Sequence, residues 1–298
     1  TFTEMNTFGK KGIGNESTYN AGYALATYIA NEYGPEVLRD IFDELSSPLQ
    51  FSVNTAIKNV LGVSGQDVYM NFKSASEARY KRLVVPIEVM PVQGDLLQTN
   101  GTTNIHPKWN PKENSYIYLS NKNNDYFGQT DLYYHDLDSN EEKKIKSSVL
   151  SAPTWHSNGR MIYYSKRSKY PNKYGSRYYD IYSFDLDTEE EERLTIDARA
   201  FSPVFIEDDS SIAYLATYDG GQDIYKLDLR SNISKKLTDF KDRPMISHLN
   251  YNAGTKHIYF DITKHHHRDI YSYDLSNNTI NKIESSDSFD ERNMSTNL

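Results

Sequence analysis

Apolar and polar positions along this chain follow two periods. From Glu16 to about Leu83 the apolar residues recur every three to four positions, as a helix with one buried face requires. Tyr19, Gly22, Tyr23, Leu25, Ala26, Tyr28, Ile29 and Tyr33 make one such face. Gly34-Pro35 ends that helix and opens a second, carrying Val37, Leu38, Ile41, Phe42 and Leu45, which Ser46-Ser-Pro48 stops. Ser52 caps a third helix with Ala56, Val60 and Leu61. Gly62 ends it, and Ser64 with Asp67 starts a fourth in the manner of a capping box. Residues 1–15 read as irregular chain and Val84–Val92 as a β-prone connection.

Beyond residue 105 the period falls to two. Asp131-Leu-Tyr-Tyr-His-Asp-Leu137 returns as Asp180-Ile-Tyr-Ser-Phe-Asp-Leu186, Asp223-Ile-Tyr-Lys-Leu-Asp-Leu229 and Asp269-Ile-Tyr-Ser-Tyr-Asp-Leu275. The first aspartates are 49, 43 and 46 residues apart, the repeat length of a four-stranded propeller blade. Ahead of each copy stand an opening segment (His106-Pro-Lys-Trp109, Ala152-Pro-Thr-Trp155, Ser202-Pro-Val-Phe205, Arg243-Pro-Met-Ile246) and a β-prone run (Tyr116–Leu119, Met161–Tyr164, Ile212–Leu215, His257–Phe260). A fourth strand follows, as in Glu192-Arg-Leu-Thr195 and Lys235-Lys-Leu-Thr238. Four strands in order make one blade, giving blades over about 105–145, 147–195, 197–238 and 242–283.

These units resemble TolB-like, WD-type propeller repeats, with their Pro-x-Trp-Ser-Pro-Asp-Gly turn, Ile-x-Phe strand, Asp-Ile-Tyr strand and Arg-Leu-Thr close. The fourth copy departs at the turn, with Asn252-Ala-Gly254. The resemblance implies a ring of six blades. Phe289-Asp-Glu-Arg-Asn-Met294 parallels Phe240-Lys-Asp-Arg-Pro-Met245 and reads as the start of a fifth, and Gly94–Thr99 as a ring-closing outer strand. Residues 16–83 resemble the helical lobe that closes gluzincin (thermolysin-like) metallopeptidases, through Tyr19-Asn-Ala-Gly22, Tyr28-Ile-Ala-Asn-Glu-Tyr-Gly34, Ala56-Ile-Lys-Asn-Val-Leu-Gly62 and Asp67-Val-Tyr-Met-Asn-Phe72. That family's zinc is held by a His-Glu-x-x-His helix and a later Glu. The first histidine here is His106, so the chain carries no such motif and the resemblance places it upstream of Thr1.

The expected fold is multidomain α and β: a helical domain over 1–84, a linker with the ring-closing strand over 85–104, and a truncated all-β propeller over 105–298. A hydrophobic share of 37% can supply its cores, and 25 tyrosines suit strands. A net charge of −8 without a basic stripe argues against nucleic acid. No apolar run spans a membrane, and zero cysteines exclude disulfides and thiolate metal sites.

His265-His-His267 falls in a hairpin loop, where adjacent imidazoles without further ligands read as solvated surface; no cofactor is expected in this chain, with Zn possible in a longer parent protein. Glu189–Glu192 reads as a solvated acidic turn. Trp109 and Trp155, at matching repeat positions, read as blade-packing residues, and the repeated aspartates as inter-strand hydrogen-bonding groups. Residues just before each opening strand vary between repeats and point to one mouth of the channel: His106, Arg199, Asp242, Arg243 and Arg292. With no nucleophile elbow or phosphate loop, the expected function is a protein- or peptide-binding module of an exported, peptidase-like protein, periplasmic or extracellular. The alternative is a fragment of an active zinc metallopeptidase whose propeller controls substrate access. Uncovered blade faces predict self-association.

Overall fold

A computed structural model describes residues 15–206, 210–264, 267–283, 290–292 and 294–295. It divides into two compact units, Thr1–Asp95 and Leu96–Leu298.

In the first unit the helices are α1 (Asn15–Tyr33), α2 (Glu36–Leu45), α3 (Val53–Leu61) and α4 (Gly65–Val89). Their ends follow the local chemistry. Ser52 Oγ accepts from the Thr55 amide, and Ser64 Oγ accepts from the Asp67 amide while donating to its carboxylate at 2.6 Å. Gly62 closes α3 at φ 73°, a left-handed turn that costs any residue with a Cβ. Ile29, Ile41, Ile57 and Val68, one from each helix, form the core. Helix α4 runs past the expected end near Leu83 through Pro86 to Val89. Among the described residues 84–89 have no strand to pair with, whereas every residue but Pro86 that continues the existing helix can gain a hydrogen bond, and Val and Ile cost only fractions of a kcal/mol there. No described helix is long and apolar enough to cross a membrane.

The second unit is a four-bladed β-propeller array. Blade 1 is β1 (Asn104–Trp109), β2 (Ser115–Ser120), β3 (Asp131–Asp136) and β4 (Glu141–Lys146). Blade 2 is β5 (Thr154–Trp155), β6 (Met161–Arg167), β7 (Tyr179–Asp185) and β8 (Glu191–Arg193). Blade 3 is β9 (Ala200–Ile206), β10 (Ser211–Tyr218), β11 (Gly221–Asp228) and β12 (Ile233–Lys236). Blade 4 is β13 (Met245–Asn252), β14 (His257–Lys264), β15 (His267–Asp274) and β16 (Thr279–Lys282). Each is an antiparallel sheet in sequence order.

Alternation within the strands builds the seams between blades. Ile117 and Leu119 of blade 1 meet Ile162 and Tyr164 of blade 2; Tyr163 meets Phe205 and Ile212; Ala213 and Leu215 of blade 3 meet Ile258 and Phe260 of blade 4. Gly159 sits where blade 2 touches blade 1: its φ is 72°, and a Cβ would lie 2.6 Å from Asn110 Oδ1. The repeated aspartates bond as expected. Asp180 accepts from Arg193, Thr195 Oγ1 and the amides of Asp197 and Ala198; Asp223 from Lys236, Thr238 Oγ1 and the Phe240 amide; Asp131 from Lys144 and the Ser148 amide. Each ties the third strand of its blade to the chain leaving for the next.

Four expectations need correction or relocation. No strand forms over residues 94–99. Instead Gln98 donates to Tyr118 Oη (2.7 Å) and Glu142 (2.8 Å), so Gln98 lies across the face of blade 1 rather than along an edge. Trp155 is buried against blade 1 and donates to the Lys108 carbonyl, but Trp109 is 59% exposed, because among the described residues no strand covers its side of blade 1. In blade 4 the counterpart of His106-Pro107 is His248-Leu249, not Arg243-Pro244: Trp109, Trp155, Phe205 and Tyr251 pair with Tyr116, Ile162, Ile212 and Ile258 at one register. Finally, Glu191 is not merely solvated, since it accepts from Tyr164 and Lys166. Of the proposed fifth-blade segment, Phe289 and Asn293 lie outside the described residues, and 290–292 form no strand.

Candidate functional site: the loop face and channel mouth

Antiparallel order within every blade sends its connections to two opposite ends. The start of the first strand shares one end with the β2–β3 type hairpin and with the link to the next blade. At that end lie Tyr126, Phe127, Leu150, Tyr170, Tyr174, Ile196, Tyr218 and Met245, every one at least 46% exposed. At the other end the turns 110–114, 138–140, 156–160 and 230–232 carry only polar residues, Pro and Gly, and the large apolar side chains exposed beside them are Trp109 at the end of β1 and Ile233 and Ile280 at the starts of β12 and β16. Two of the loops are long, 121–130 in blade 1 and 168–178 in blade 2. An Asx turn shapes the second, where Asn172 Oδ1 accepts the amides of Tyr174 and Ser176, and Asn121 Oδ1 ties the first to the amides of Thr102 and Thr103. Lys169 and Lys173 lie over Tyr170 and Tyr174, at 5.6 and 4.9 Å from the ring centroids.

Inside this face the first strands of the blades converge on a cavity of about 270 Å³ lined by His106, Leu150, Ser151, Phe201, Ser202, Gln222, Ile246, Ser247 and His248, among others. Bulges interrupt β1, β9 and β13 at equivalent places. His106, Ser202 and His248 occupy them with φ of 54°, 49° and 53°, a left-handed backbone uncommon outside glycine. A bulge re-aims the side chain it carries, and these three all line the cavity. The His106 and His248 rings lie 6.1 Å apart, centroid to centroid. Burial pushes the His106 imidazole below its ordinary pKa, and His248 and Lys108 add to the effect. His248 Nδ1 faces the buried Asp261 carboxylate at 3.2 Å. The carboxylate is the acceptor, so Nδ1 carries the proton.

The five residues expected at the mouth are placed apart. His106 lies within β1, not before it, and lines the cavity. Arg199 precedes β9, donates to Tyr178 Oη (2.8 Å) and covers that ring at 4.3 Å. Arg243 reaches Asp219 at 3.1 Å, and Asp242 pairs with Lys264. Arg292 follows blade 4, next to Glu291, whose amide donates to the Arg268 carbonyl. Arg199, Asp242 and Arg243 thus sit in the links at the aromatic end, each engaged with a neighbour. Of the histidine run, His265 and His266 lie outside the described residues and His267 opens β15.

His248 was missed because Leu249 replaces the proline that marks the other copies. Counting back from the β-prone run, rather than forward from a proline, finds it. The aromatic loop face was missed because exposure of Tyr126 or Tyr174 depends on which end of the blade a loop occupies, which no local pattern displays.

Among the described residues no group of three or more His, Cys, Asp or Glu side chains is placed to hold a metal ion. A buried charge cluster lies on the open side of blade 1, where Lys122 contacts Glu142, Tyr118 Oη (2.7 Å) and the Tyr133 ring (4.0 Å). Burial pushes the Tyr118 hydroxyl far up, and Glu142 reinforces the shift. Blade 2 repeats the arrangement with Tyr164, Glu191 and Lys166, which marks it as part of the blade pattern.

No protein-family model matches the chain, and no curated protein matches it either. Solved structures do. The crystal structure of TolB from Acinetobacter baumannii aligns at 21% identity with a TM-score of 0.50, over 64% of this chain and 45% of that one. A structure described as a TolB from Agrobacterium tumefaciens aligns at 17% identity and a TM-score of 0.52, over 64% of this chain and 65% of that one. A puromycin-hydrolyzing peptidase of Mycobacterium tuberculosis aligns at 12% identity and 0.50, over 63% and 29%. This chain spans less than two thirds of the length of either TolB structure. The shared feature is the fold, a TolB-like β-propeller.

Proposed function

We propose that the propeller is a protein- or peptide-binding module, taking its partner on the aromatic loop face around the channel mouth, in a protein that works in the periplasm or outside the cell. The observation that carries this is the concentration of exposed aromatic side chains in the loops at one end of the blades. Aromatic side chains and Met, with Arg nearby, are the residue types enriched at protein interfaces, and rigid blades present them on loops, where binding residues concentrate. Arg199 and Arg243 flank the patch and Asp242 adds an acid, so a partner with mixed charge around an apolar anchor fits it.

A second reading takes the helical unit as the closing lobe of a zinc metallopeptidase, with the propeller limiting access to substrate. Support comes from the order and capping of the four helices and from a groove of about 550 Å³ between α1 and α4, lined by Asn20, Tyr23, Thr27, Tyr28, Phe72 and Arg79 among others. Zinc in that reading belongs to residues outside this chain.

The binding role is tested by selecting peptides from a displayed random library and measuring their affinity by fluorescence anisotropy. A combined Tyr126→Ser, Phe127→Ser and Tyr174→Ser variant should weaken the selected peptides at least tenfold without lowering the Tm. Undiminished affinity in that variant, or failure to select any peptide, rejects the loop face as the binding site.

A further inference from the structure

We propose that the channel cavity is a binding site for a borderline-soft divalent ion such as Zn²⁺ or Ni²⁺, held by the imidazoles of His106 and His248. Three observations meet here. First, both histidines occupy bulges that turn their side chains into one cavity, on strands from opposite ends of the blade array.

Second, the spacing suits one ion. Metal–nitrogen bonds of about 2.0–2.1 Å put the centroids of two imidazoles on a shared ion roughly 5–6.5 Å apart, and these stand at 6.1 Å. Third, the support behind His248 is of the kind metal ligands use. Its Nδ1–H donates to Asp261, a carboxylate only 2% exposed. This fixes the tautomer and leaves the Nε2 lone pair on the other edge of the ring, the carboxylate–histidine arrangement that orients a ligand and raises its basicity. Arg268 steadies the same carboxylate from 3.6 Å. Among the described residues no protein group hydrogen-bonds to the His106 ring, so its nitrogens are available.

Two protein ligands leave the remaining positions to water or to an oxygen from a bound molecule, and the serines of the cavity wall can hydrogen-bond those waters. Such a site takes its ion with micromolar rather than nanomolar affinity. It is independent of the loop-face reading: the ion binds whether or not a peptide does.

The experiment titrates the full chain with ZnCl₂ and, separately, NiCl₂ by calorimetry and equilibrium dialysis. All measurements use a His265→Ala, His266→Ala, His267→Ala background, so that the histidine run cannot contribute. One ion per chain is expected, weakened at least tenfold by His106→Ala or by His248→Ala and about tenfold by Asp261→Asn. To guard against a variant that fails to fold, Ni²⁺ is also added to the background protein with its two channel histidines intact. Paramagnetic broadening should then reach the imidazole signals of His106 and His248 first. Absence of saturable binding, binding unchanged by both single alanine variants, or broadening confined to other histidines overturns the proposal.

Discussion

Asp180 has no exposed surface, yet both its oxygens are fully used: Arg193 at 2.6 Å, Thr195 Oγ1 and the Ala198 amide at 2.9 Å, the Asp197 amide at 3.2 Å. Removing the carboxylate strands several donors in a dry seam. Asp180→Ala should therefore cost about 3 kcal/mol, read as a lowered urea midpoint. Asp131→Ala should cost less, since Lys144 is half exposed and can turn to water. Equal losses at the two sites would refute this account. Glu142 offers a pH test. Burial works to raise its carboxyl, but Lys122 and the Tyr118 hydroxyl outweigh it, and the pKa lies below the ordinary 4.5. A carboxyl depressed in the folded state contributes stability above its unfolded pKa and loses it as the pH falls through the folded value. Glu142→Gln should thus flatten the fall of Tm between about pH 5 and pH 3; an unchanged slope would assign the acid sensitivity elsewhere.

At the scale of elements, what could be read in the sequence was what a strand or helix determines by itself. The four Asp-x-Tyr strands announce themselves by alternation, and Ser52, Gly62 and Ser64 mark helix ends by their own hydrogen bonds. What could not be read depends on neighbours. Trp109 and Trp155 share the Pro-x-Trp motif, but among the described residues only Trp155 has a blade on its far side. Val84–Val89 has the composition of a strand, yet without a partner it continues α4. Pro86 lies inside that helix with no amide hydrogen to give. Pro86→Ala restores a donor and should raise amide protection over residues 83–89 in hydrogen exchange. No gain in protection would mean that the last turns of α4 are held by something other than the helical ladder.

At the scale of the molecule, the ring of six implied by resemblance is represented by four blades among the described residues, and the outer side of blade 1 carries a cavity of about 310 Å³ lined by Leu97, Ile105, Trp109, Tyr116 and Tyr118 among others. Apolar sheet faces of this kind favour association. Sedimentation velocity should show a concentration-dependent larger species that Trp109→Lys suppresses. A monomer at every concentration would show that Leu97 and Gln98 shield the face well enough alone.

The aspartate ties carry a mechanical consequence. Because Asp131, Asp180 and Asp223 each bind the stretch of chain that leads out of their own blade, tension pulling blade 2 away from blade 1 must first break the Asp131 tie to Ser148. The fastening lies in series with the covalent chain, so pulling at the two ends of the propeller loads one seam after another instead of shearing all blades together. Extension should arrive in discrete jumps, each releasing one repeat and roughly 150 Å of slack. The Asp180 fastening has the most bonds, so its seam should resist longest.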